Sequence, residues 1–160
     1  MKTIQRGLIA VLLAIAVCGG TMRPADAFLD KTRFVAHLGV AYFAFHHWVM
    51  RPYESHAFDP GAPHRTSTIV KAGIALLFAV HEVRVASKIA HTSKDPLLQK
   101  IAGGVDQLGG SFGAIGQRFK SGQFSPDDVR SLQSITSSVA GAAAANGAPI
   151  KDIPVAIPGT

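Results

Sequence analysis

PLLQKIAGGVDQLGGSFGAIGQRFK, residues 96–120, is the stretch on which the fold turns. Leu98, Ile101, Val105, Leu108, Phe112, Ile115 and Phe119 follow one another in alternating steps of three and four, which is the spacing of one face of an α-helix. Pro96 suits a first helical turn and Gly122 a helix end. The same stretch holds Gly103, Gly104, Gly109, Gly110, Gly113 and Gly116, each costing about 1 kcal/mol against Ala in a helix interior. Such a helix does not stand alone. It must lie against a neighbour, and glycines let the neighbour's backbone come close. Gly109 and Gly113 are therefore read as packing positions.

Working outward, Ser125-Pro126-Asp127-Asp128 is a helix start. Ser125 caps it, Pro126 takes the first position, and the two acids sit at the positive end of the helix dipole. Val129, Leu132, Ile135 and Val139 form its buried stripe, and the helix fades near Gly147. Residues 148–160 carry Pro149, Pro154 and Pro158 and read as an extended tail.

Upstream, residues 66–91 make a helix that is apolar nearly all round in its first half, with Thr66, Ser67 or Thr68 as its cap. Residues 31–50 place Phe34, Leu38, Ala41, Phe45 and Trp48 on one face, and Arg51-Pro52 is expected to end that helix. Residues 51–67 read as a loop. Trp48 to Tyr53 groups aromatics, a cation and a proline, and is read as a core corner. The sum is an all-α chain: a small up-and-down bundle of about four helices over residues 28–147, followed by the tail at 148–160.

Residues 1–27 have the layout of a cleaved signal peptide. Lys2 and Arg6 precede the apolar run LIAVLLAIAV at 8–17, and Ala25-Asp26-Ala27 offers small residues before a cut at Phe28. The apolar run is about half the roughly 20 residues a membrane span needs. Cys18 opens a rival, a lipid-anchored chain, although Val17 is not the small residue such signals place before the cysteine. The expected location is secreted or periplasmic.

Removing 27 of 160 residues leaves 133, one domain of ordinary size. It also removes Lys2, Arg6, Arg23 and Asp26, so the net charge falls from +6 to +4. No cysteine then remains, and stability rests on packing alone. Abundant Ala and Gly with a single Asn, Asn146, point to a GC-rich bacterial genome. The charges are scattered and no recognition motif is present, which argues against nucleic acid as a partner.

All seven histidines fall between Phe28 and Asp95. His46, His47, His56 and His64 match no zinc spacing. His81-Glu82 lacks the second histidine of a metalloprotease helix, since Val85 stands there. There is no G-x-S-x-G, no P-loop and no dinucleotide fingerprint. His37 and His81 each lie 13 residues from the ends of a hairpin turning at 51–67, hence at one level of the bundle, about 20 Å from the loop. Facing each other, they would hold haem iron or a transition metal; the plainer expectation is that each finds a hydrogen-bond partner, Tyr42 or Glu82 among them.

The reading is an exported protein with a non-catalytic binding or structural role at the cell envelope, its partner an envelope or extracellular protein, with no cofactor expected. Its rivals are the histidine-based metal or haem bundle and a membrane-associated hairpin of residues 34–50 and 69–86, with a further membrane-surface reading for the face of 96–120.

Overall fold

The computed structural model of the chain describes residues 23–160. The charged start, apolar run and Cys18 of the signal peptide lie outside the described residues. Helix α1 covers Arg23–Phe45, a π-helical segment His46–Met50 follows, and α2 is the short Arg51–Glu54. The long helices α3 (Arg65–Thr92), α4 (Pro96–Lys120) and α5 (Pro126–Ala145) complete the bundle. No strand occurs among the described residues.

The helix expected at 31–50 starts earlier and does not stop at Arg51-Pro52. Proline lacks an N–H and its ring strikes the carbonyl four residues back. The chain absorbs this by widening the preceding turn: the Arg51 N–H donates to the His46 carbonyl, five residues back instead of four. Pro52 then falls in the first turn of α2, where no N–H is needed. The expected loop shrinks to residues 55–64. Its Phe58 is fully buried, with its ring 4.8 Å from Phe124 and 6.2 Å from Phe119, and plugs the end of the core. Trp48 and Tyr53 pack on the core from its edge.

α3 begins at Arg65, and none of Thr66, Ser67 and Thr68 caps it. His64 takes the cap position with φ 56° and no side-chain bond. α4 and α5 start as their sequences suggest. The Asp95 carboxylate accepts from the Leu97 amide, and the Ser125 hydroxyl accepts from the Asp127 amide.

Neighbouring helices alternate in direction. Lys31 pairs with Asp95 and His37 with Glu82, which sets α1 antiparallel to α3. Gly73 meets Lys120 while Gly109 meets Val83, which sets α3 antiparallel to α4. Arg118 pairs with Asp128 and Gly104 faces Val139, which does the same for α4 and α5. The α4 stripe from Leu98 to Phe119 is buried in the core, so it is not a surface that a membrane can meet. Among the described helices, those over 34–50 and 69–86 included, none is long and apolar enough to cross a membrane.

The glycines sort by contact. A Cβ on Gly113 would sit 3.8 Å from Val80 Cγ2, and one on Gly109 would sit 3.1 Å from Val83 Cγ1, so both face α3. The closest approach lies elsewhere. At Gly73 a Cβ would collide with the Lys120 amide nitrogen and lie 2.8 Å from the Gly116 carbonyl oxygen.

The tail is non-helical and is strapped to the bundle. The Ile153 N–H donates to the Gly39 carbonyl at 3.0 Å. A Cβ on Gly39 would strike the Lys151 carbonyl oxygen, so only glycine lets the tail lie this close to α1. Ala148 and Ile157 are buried, and Gly159 reaches Ile74 on α3.

Candidate functional site

Where α1 gives way to the π turn, a recess of about 350 Å³ opens between that turn and α5, with the tail along its edge. Its lining includes Phe43, His46, His47, Arg51, Gln133 and Asp152. The π turn creates the space. Wider by one residue than an α turn, it is a rare geometry found frequently at functional sites.

Each side chain here has a structural cause. On α1, Val35, Gly39, Tyr42 and His46 fall on one stripe, and the tail crosses it at Gly39. Asp152 is thereby carried to His46, whose Nδ1 lies 2.8 and 2.9 Å from the two carboxylate oxygens. Deeper in, the Tyr42 hydroxyl donates to the Thr136 carbonyl at 2.7 Å and ties α1 to α5. Burial pushes the Tyr42 hydroxyl well above its ordinary pKa, and the Asp152 charge adds to this, so the hydroxyl remains a donor. His47 stacks on Phe43 with centroids 5.1 Å apart and faces Arg51 at 3.3 Å. The recess thus offers a guanidinium, two imidazoles, two acids (Glu54 and Asp152) and amide and hydroxyl groups beside an aromatic wall.

The other histidines are distributed, not gathered. His37 Nδ1 lies 2.7 Å from Glu82 Oε2 across the α1–α3 interface. His81, one residue before Glu82, is exposed, so the two imidazoles are not enclosed together in the core. His56 pairs with Asp59 in the loop. Among the described residues no group of three or more His, Cys, Asp and Glu is placed to hold a metal ion.

On the outer face of α3 and α4, Ser87, His91 and Asp106 meet. The Ser87 hydroxyl donates to one Asp106 oxygen at 2.5 Å, and His91 Nε2 lies 2.8 Å from the other. Those two contacts hold the Asp106 carboxyl below its usual range, Ser87 first and His91 second. A hydrolase needs the imidazole on the hydroxyl so that it can take the proton. Here the acid stands between them, and no imidazole sits on the serine.

Sequence reasoning missed Asp152 as the partner of His46, and it missed Gly39 and Gly73 as contact glycines. The tail did carry a signal: Ile150, Ile153, Val155 and Ile157 are too apolar for a free segment. The chain matches no protein-family model, and no curated protein or solved structure is significantly similar to it.

Proposed function

We propose that the protein is an exported, non-catalytic binding protein of the bacterial cell envelope, and that the recess beside the π turn is its ligand site. The observation that carries the reading is the coincidence of the π turn with the 350 Å³ recess. Ligand pockets run from about 300 to 1,000 Å³, so this one suits a small molecule. Its chemistry favours a polar ligand with an anionic group for Arg51, acceptors for Gln133 and donors for Glu54. Export is supported by the three-part layout of residues 1–27.

The test is a thermal-shift screen of small carboxylates, amino acids and phosphorylated sugars against the wild type and an Arg51→Gln, Gln133→Leu variant. A ligand at a hundredfold excess over its Kd adds about 2.7 kcal/mol of stability, roughly 10 °C in a domain of this size. The wild type is expected to show such a shift and the variant to lose it. A screen in which nothing shifts the wild type, or in which the variant shifts equally, overturns the recess as the site. N-terminal sequencing of the exported protein, expected to read Phe-Leu-Asp-Lys, tests the compartment separately.

A further inference from the structure

At the other end of α1 a second groove, of about 500 Å³, runs between α1 and α3. Its rim carries Arg33, His81, Arg84 and Lys88, all exposed, while Val85 and Ile89 line it with apolar surface. Asp30 is the one acid in its lining. Of the other acids nearby, Glu82 is engaged with His37 and Asp95 with Lys31, while Asp26 stands exposed one turn before Asp30. Arg33 lies 13 residues before His46, about 20 Å along the helix, so this groove is separate from the recess.

At the same end of α1 stand the two most exposed large hydrophobic side chains among the described residues. Phe28 is 70% and Leu29 57% exposed. Leu29 sits one turn before Arg33 on the same face of α1. Cations around an apolar groove, with two bare apolar side chains at the same helix end, match the two layers of a lipid surface: charge at the headgroups and hydrocarbon beneath. We propose that this end of α1 and α3 docks on an anionic phospholipid bilayer, with Arg33, Arg84 and Lys88 on the headgroups and Phe28 and Leu29 in the acyl boundary. This does not rest on the ligand recess.

The test uses residues 28–160, which hold every buried side chain of the described structure, so it is independent of whether the cell cuts before Phe28. Binding to sedimented vesicles of phosphatidylglycerol and phosphatidylcholine is compared with binding to pure phosphatidylcholine. Each cation near an anionic bilayer contributes about fivefold in partitioning. An Arg33→Gln, Arg84→Gln, Lys88→Gln variant with unchanged melting should therefore bind the anionic vesicles on the order of a hundredfold less. Phe28→Ser with Leu29→Ser should weaken binding that remains in high salt. Lys71→Gln, Lys120→Gln, Arg130→Gln removes equal charge at the opposite end of the bundle and is expected to retain most binding. Equal binding to neutral vesicles, equal loss in both triple variants, or complete competition by millimolar inorganic phosphate overturns the proposal; the last result would assign the groove to a free anion.

Discussion

The two sides of the bundle are closed in different ways. Between α3 and α4 the backbones nearly touch. Gly73 rests on the Gly116–Lys120 turn, and Gly116 lies under Leu76 and Leu77. Between α1 and α5 contact is sparse: one hydrogen bond from Tyr42 and a strap of non-helical chain bridge them, leaving the recess. Close packing at one interface supplies the stability, and a gap with polar walls at the other supplies a place to bind. A bundle closed equally tightly on all sides would have no such place.

The largest expected effect breaks the tight side. Gly73→Leu drives a side chain into the backbone of α4, where no rotamer change relieves the clash, and should cost roughly 3 kcal/mol or more by thermal unfolding. Gly113→Ala, at ordinary contact distance from Val80, should cost nothing and raise the melting temperature slightly. If both behave alike, the α3–α4 contact is not the close one. Smaller is Tyr42→Phe on the open side. It removes one buried hydrogen bond and should cost about 1 kcal/mol in denaturant titrations; a loss as large as that of Gly73→Leu would mean that the two sides are equally essential. The smallest effect has the opposite sign. Gly103 and Gly110 have open space where a Cβ would be, so Gly103→Ala with Gly110→Ala should raise stability by about 1 to 2 kcal/mol, since Ala suits a helix interior better. A loss there would show that the outer face of α4 is covered.

The all-helical class, the α4 and α5 boundaries and the caps at Ser125 and Gly122 were legible because they depend on residues within a few positions of one another. Pro52 misled because its remedy, the π turn, depends on a hydrogen-bond register that no periodicity reports. Glycine in α4 announced a close approach but not its place. The crossing point depends on how two helices slide past each other, and Gly73, the only glycine inside α3, was the sharper clue. The pairs His37–Glu82 and His46–Asp152 join residues 45 and 106 positions apart, so only the fold brings them together. For His37, Glu82 was among the partners anticipated; for His46, nothing near it in sequence pointed to the tail.

Helix α1 runs without interruption through Ala27 and Phe28, yet no side chain from Ala25 to Leu29 is buried. A wound helix offers a protease no extended backbone to grip, because its N–H and C=O groups are bonded to one another. Scission before Phe28 therefore requires these turns to be open, and opening them disturbs no core contact. If the proposed cut is made there, cutting and winding compete for the same few residues. Under that proposal the peptide bond is accessible while the segment is unwound, and scission would make Phe28 and Leu29 the leading edge of the molecule.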